Sequence, residues 1–382
     1  MPQCIYCNNK KEPRDFSKEH IIPKGIGGNL SGQNPFVTNQ VCKRCNNICG
    51  AYVDGPFVKN FFTNNNRAFT ALNYCNVEAG EVVPLTFIGT IESLNFESKI
   101  CEFWLGPTGD SIFHFHEPYP YKGMPPMVGQ PTNLKSEEID TGFAFIFVAS
   151  NNPIWHKTII FSFVNQFHSS ILYLGNGPKP QGEAFSEIPT SLNDLRDKLN
   201  EQIKIGVNAQ ISLQIDFDLR FLCKIALGIG FKILGDRFNQ LEFTKTLRDG
   251  LWSKTAEDRN KLPIRGKGSF THDNSELKKV FGLKGGHLLC LFKVSDSVAL
   301  ISSFYGEQCS VIQISDQPEE WKEAIPGYGS IAIISPSKSK GLDFFPLEHF
   351  LAALSSSSNN FQRIHEMFKL LNDQKVLPPF KI

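Results

Sequence analysis

Four cysteines near the N-terminus have a spacing that suits a metal: Cys4-x2-Cys7 and, after 34 intervening residues, Cys42-x2-Cys45. Two such knuckles supply four thiolates for one tetrahedral Zn2+. A closed four-thiolate sphere leaves no position for water or substrate, so the zinc expected here is structural. It would staple a segment too short to hold a core of its own, and chemistry must come from what it positions. Between the knuckles lies Lys18-Glu19-His20-Ile21-Ile22-Pro23-Lys24-Gly25-Ile26-Gly27-Gly28, and the second knuckle runs into Asn46-Asn47. A histidine of near-neutral pKa can take a proton from water, and a carboxylate with an amide oxygen can hold a hard divalent cation.

This order of residues (a Glu-His pair, Ile-Pro, a Gly-Gly turn, an Asn, then Cys-x2-Cys-Asn) resembles the HNH endonuclease family in its version with two zinc knuckles, over residues 4–54. The resemblance implies two short strands and a helix around one catalytic divalent metal, Mg2+ or Mn2+. It implies His20 as the general base, Glu19 and Asn46 as ligands of that metal, and Asn39 as the middle Asn that orients the loop. Asn46 stands where the family often has His, Asn47 competes with it, and Asp54 either assists the metal or caps a helix. Cutting a phosphodiester needs an activated water, charge relief at phosphorus and a stabilised leaving oxygen, which are roles for such a histidine and a Lewis-acid cation. Lys18, Lys24, Lys43 and Arg44 flank these residues as candidate phosphate contacts.

The elements that must position this set are a knuckle, an apolar strand-like piece at Ile21 and Ile22, a glycine-rich turn at Gly25 to Gly28, the second knuckle and a following helix. Residues 1–66 are therefore expected to form a zinc-stapled ββα-metal module. From about Val82 the pattern changes to strands, over 85–91, 100–105 and 111–116, the last two flanking the turn Gly106-Pro107-Thr108-Gly109-Asp110. Five prolines in 117–131 mark a loop. Strands are expected again at 143–148, 158–164 and 169–174, closed by Gly175-Asn176-Gly177-Pro178. Helical spacing recurs at 192–203, 217–234, 238–251 and 347–371, with further strands at 287–294, 299–304, 310–314 and 330–334. The expectation is an α+β protein in which a larger mixed α/β body, 80–382 with a division near 180–215, selects substrate or regulates the module.

Composition narrows the class. The chain has 382 residues, 41% hydrophobic and 20% charged with 33 Phe, which marks a folded globular protein of more than one domain. Its net charge of +1 hides a polarity: residues 1–60 carry eight Lys or Arg against four Asp or Glu. A basic module on a slightly acidic body suits a phosphate-bearing partner. The apolar run 223–235 contains Lys224 and Lys232 and falls short of the ~20 residues needed to span a bilayer, so no membrane is expected. The Met1-Pro2-Gln3-Cys4 start lacks a secretory pattern, so a cytoplasmic protein is expected, in which thiols stay reduced and metal ligation explains clustered cysteines better than disulfides.

Other motifs read as ordinary structure. His114 and His116 alternate on a strand and share a face, which is legal metal spacing, but only Glu117 lies nearby in sequence and the reading is a strand with one apolar face. Gly282 to Gly286 lacks phosphate-loop order and is read as a turn before a strand. The expected function is a metal-dependent endonuclease acting on double-stranded DNA in restriction or phage defence, gated by a ligand or partner protein. The alternative is a non-catalytic, zinc-dependent docking module for nucleic acid or protein. Choice of DNA or RNA, sequence specificity and oligomeric state leave no mark in these residues.

Overall fold

The computed structural model describes residues 1–28, 34–74, 83–118, 142–149, 153–167, 170–176, 185–206, 216–270, 273–336 and 341–372. The chain divides into two compact units, residues 1–58 with 214–373, and residues 59–213. No helix among the described residues is long and apolar enough to cross a membrane. The Pro-rich stretch 117–131 lies, from residue 119 on, outside the described residues, as do Gly177 and Pro178.

The N-terminal segment is a hairpin followed by helix. Strand β1 (Phe16–His20) pairs antiparallel with β2 (Val37–Cys42), joining Phe16 to Cys42 and His20 to Val37. The register shifts between Ser17↔Val41 and Glu19↔Thr38, which places an extra residue on β2 at Asn39-Gln40. That bulge turns the Gln40 carbonyl to accept the Ile5 N–H of the first knuckle at 3.0 Å. Helix α1 (Lys43–Cys49) starts directly after β2 and runs through a π-helical turn, Gly50–Asp54, into α2 (Gly55–Lys59).

In the 59–213 unit, α3 (Phe61–Tyr74) precedes a five-stranded sheet of β3 (Thr86–Thr90), β4 (Ile100–Leu105), β5 (Ser111–His116), β6 (Phe143–Phe147) and β7 (Ile171–Asn176), in that spatial order. The first four are antiparallel, and β6 and β7 are parallel. A parallel pair needs a crossover, supplied by α4 (Pro153–Gln166). The strand expected at 158–164 is therefore helix. Its β-branched and aromatic residues look strand-like, but Ile159, Ile160, Phe163 and Phe167 recur at helical spacing and pack with Trp104, Ile112 and Ile146 of the sheet. The opposite face, with Phe103, Phe113, Phe115 and Phe145, packs on Leu195 and Leu199 of α5 (Asn193–Ile205). Both faces of β5 are buried, not one.

Residues 214–373 begin with α6 (Asp216–Leu234), α7 (Asp236–Gln240), α8 (Glu242–Trp252) and α9 (Ala256–Asn260). A six-stranded antiparallel sheet follows, ordered β13-β12-β9-β10-β11-β8, from β8 (Gly266–Lys267), β9 (His287–Val294), β10 (Ser297–Phe304), β11 (Gln308–Ser315), β12 (Gly329–Ile334) and β13 (Leu342–Pro346). Alternation along β9 and β12 sorts side chains to two faces. Leu288, Cys290, Ile331 and Ile333 pack on α10 (Ser275–Phe281), α11 (Leu347–Ser355) and α12 (Gln362–Asn372). Leu289, Leu291, Ala332 and Ile334 share one core with α6, α8 and the N-terminal segment, including Ile5, Ile21, Ile22, Val41 and Phe57. Phe57 stacks on Phe221 of α6 with ring centroids 3.7 Å apart. Gly228 lets α6 approach this closely, since a Cβ there would stand 2.7 Å from Ile21 Cγ2.

Candidate functional site

The knuckle cysteines converge. The sulfurs of Cys4, Cys7, Cys42 and Cys45 all lie within 4.8 Å of one another, with Cys7 the only one not buried. Hydrogen bonding from Cys45, aided by the backbone N–H groups of Cys42, Cys7 and Tyr6, overcomes burial to bring the Cys4 thiol down to about 5. Four such donors fit a structural Zn2+, which would lock the knuckles and supply no open position for chemistry. Helix α8 grips the same turn: Arg248 Nε donates to Ile5 O at 2.9 Å and Trp252 Nε1 to Tyr6 O at 2.7 Å. Cys49 is buried and burial pushes its thiol up, so it is an inert core residue.

His20 ends β1, half-buried. Partial burial, then Lys24 and Lys18, hold its imidazole below the ordinary value, so it is neutral at pH 7 and able to accept a proton. Lys18, Lys24, Lys43 and Arg44 are exposed around the segment. Asn46 donates through Nδ2 to Ser17 Oγ at 2.9 Å and Lys18 O at 3.0 Å, which ties α1 to β1, and Asn47 is exposed. A groove of about 650 Å3 opens beside the knuckles, carrying Lys11, Arg44, Lys245 and Arg248 against Glu242 and Asp249; His20 does not line it.

Glu19 points the other way, into the core, 3% exposed. Lys224 of α6, fully buried, places its ammonium 2.8 Å from Glu19 Oε1 and 3.1 Å from Asp54 Oδ2. The same ammonium donates to the carbonyls of His20 at 2.9 Å and Ile21 at 3.1 Å, while Tyr6 Oη donates to Glu19 Oε1 at 3.1 Å. Burial pulls the Lys224 pKa down, but Asp54 and Glu19 outweigh it and leave it raised, so the lysine stays charged. Burial pushes the Asp54 carboxyl up to about 6 although Lys224 draws it down. A cation already fills this four-oxygen nest. As arranged, Glu19 and Asp54 do not fit a second, divalent one.

Three residues that position the site were not visible beforehand. Lys224 stood out in sequence only as a charge inside an apolar run. Asn34 receives no local signal, yet its Nδ2 donates to Gly28 O at 2.7 Å and its Oδ1 accepts the Phe36 N–H at 2.9 Å, closing the glycine-rich loop. Asn39, which was matched to the loop-orienting Asn, is exposed on the β2 bulge. His287 of β9 is buried and neutral, held down to about 4 by burial; one ring nitrogen meets Ile26 O and the other accepts the Tyr305 N–H at 3.1 Å. Gly27, at φ +89°, meets the chain at Pro336, where a Cβ would stand 2.7 Å from Pro336 Cα.

A short hairpin ending in histidine, a helix entered through a cysteine knuckle, and a four-cysteine cluster that fits a structural zinc define a ββα module. Residues 4–62 match the sequence model of the HNH endonuclease family, and this segment is an HNH-type module. No curated protein and no solved structure matches the chain.

Proposed function

We propose that the protein is an endonuclease that hydrolyses phosphodiester bonds in DNA, with His20 as the general base. The observation that carries this is a neutral imidazole fixed at the end of β1, beside exposed Lys18 and Lys24, in an HNH endonuclease module. His20 takes a proton from water, the water oxygen bonds to phosphorus, and the bond to the 3′ oxygen breaks, the leaving oxygen taking a proton from solvent. The basic side chains offset the phosphate charge and confer salt-dependent affinity. Asn46 and Asn34 act as positioning residues, one fixing α1 to β1 and the other the loop after His20. Mg2+ or Mn2+ remains part of the reading as an additive to be tested, and no step is assigned to an ion on Glu19. A cutter of this kind needs restraint, and the 59–213 unit, inserted in the chain between the module and the rest of its core, is the element we assign to substrate selection or gating, as in restriction and phage-defence nucleases.

One observation favours a second reading. With Glu19 committed to Lys224, the module also suits a non-catalytic docking role for nucleic acid. The two separate by incubating purified full-length protein with plasmid DNA, linear DNA and RNA under Mg2+, Mn2+ or EDTA. Product formation above background on DNA supports the nuclease; salt-sensitive binding with no product on any substrate supports docking.

A further inference from the structure

The 59–213 unit carries a second cluster of metal-ligand side chains, and its residues come from different strands. In the register of β4 and β5, Glu102 lies directly opposite His114, while His116 pairs with Ile100 two positions along. On a pleated sheet those three side chains emerge on one face. Their ligand atoms lie within 4.8 Å of one another, and all three residues are 0% exposed. We propose that Glu102, His114 and His116 hold a divalent transition-metal ion, with zinc the best match to this donor set, as a second metal site separate from the four-cysteine one.

The hydrogen bonds around the cluster point the ligand atoms inward. His116 Nδ1 lies 2.7 Å from Glu117 O, which can only accept, so that nitrogen carries a proton and Nε2 is the atom turned to Glu102, 3.4 Å from its Oε2. His114 Nε2 lies 2.9 Å from Ser170 Oγ, while its Nδ1 is buried with no hydrogen-bond partner among the described residues. An orphaned imidazole nitrogen in a core is costly unless something accepts its lone pair, and a metal ion does. Metal-bound histidines commonly donate their second nitrogen to a carbonyl, as His116 does to Glu117. Trp104 Nε1 donates to Glu102 Oε2 at 3.1 Å and so orients the carboxylate.

The surroundings are built to close the site. Phe163 of the crossover helix and Phe167, just past its end, lie on the His114 ring, with centroids 5.3 and 4.4 Å away. Gly142 leaves the room: a Cβ there would stand 3.2 Å from His114 Nε2 and 3.1 Å from His116 Cβ. Two imidazoles and a carboxylate form a donor set suited to Zn2+ or Fe2+ and poor for Mg2+ or Ca2+. Full burial makes the ion a staple of β4 to β5, in a unit whose sequence offers no knuckle.

The test is metal content. Full-length protein purified without added metal and analysed by inductively coupled plasma mass spectrometry is expected to hold about two metal ions per chain, falling to about one in His116→Gln and about one in Cys42→Ser. Chelator-stripped wild type titrated with Co2+ should show thiolate charge-transfer bands and, separately, a d–d spectrum without thiolate character. Glu102→Gln, nearly isosteric, should lose only the second spectrum, which keeps the test meaningful if the histidine variant fails to fold. The proposal is overturned if wild type holds about one ion that disappears wholly in Cys42→Ser, and Co2+ yields thiolate bands alone. That outcome would mark the cluster as an internal His116–Glu102 ion pair.

Discussion

Replacing Lys224 by methionine removes the one ammonium that serves Glu19 and Asp54 together while keeping the length and apolar stem of the side chain. Two carboxylates would then sit in the core without a counter-charge, and the carbonyls of His20 and Ile21 would lose their shared donor. Breaking a buried ion pair from one side costs about 3–5 kcal/mol, because the remaining charge stays desolvated. The orphaned carbonyls add to that, but both carboxyls can protonate and recover part of it, so the lower end, about 3 kcal/mol, is the figure expected. Urea unfolding followed by Trp fluorescence reads it. The chain has two compact units, so the transition belonging to residues 1–58 and 214–373 has to be resolved from the other. A triple variant, Lys224→Met with Glu19→Gln and Asp54→Asn, should recover most of the loss. If Lys224→Met costs less than about 1 kcal/mol, a value typical of an exposed pair, the ammonium does not hold this site together.

Burial also raises the Asp218 carboxyl to about 6, although it accepts backbone N–H groups from Ser269 and Phe270. A folded-state value above the unfolded one means that this group's contribution is fully present below about pH 4 and is lost as pH rises through about 6. Asp218→Asn should therefore flatten the change in urea midpoint over that window, and an unchanged slope would refute it. Cys42→Ser should remove zinc and expose the N-terminal segment to limited proteolysis while leaving 59–213 intact; a protease-resistant, zinc-free variant would show that the shared core suffices. Gly228→Ala should cost about 1–3 kcal/mol by overpacking against Ile21, seen as a lower melting temperature, and a neutral substitution would mean that α6 can shift freely.

How much of this was legible in the sequence follows from chain distance. The knuckles, Glu19-His20 and the Gly-Gly turn lie within one short segment, and each imposes a local requirement of type and spacing, so they could be read directly. Lys224 lies 204 residues from His20, and nothing local says that a lone lysine in an apolar helix will serve a strand at the other end of the chain. Asn39 was matched to the loop-orienting position by residue order alone; the bulge on β2 leaves it exposed, and Asn34, which no local pattern marks, closes the loop. The run 158–164 misled because strand propensity is a weak preference that a parallel crossover overrides. His114 and His116 were visible, but their carboxylate partner came from β4 through a strand register that spacing does not encode.

The most direct test of the central claim compares wild type with His20→Ala at matched zinc content and matched DNA affinity, measuring cleavage of labelled DNA with enzyme in excess. The account predicts cleavage by wild type that declines at acid pH, below the ordinary histidine range, as the imidazole protonates, and a fall of about 100-fold or more in the variant. Equal cleavage by both proteins, or a pH profile unaltered by the substitution, would contradict the assignment of His20 as the base.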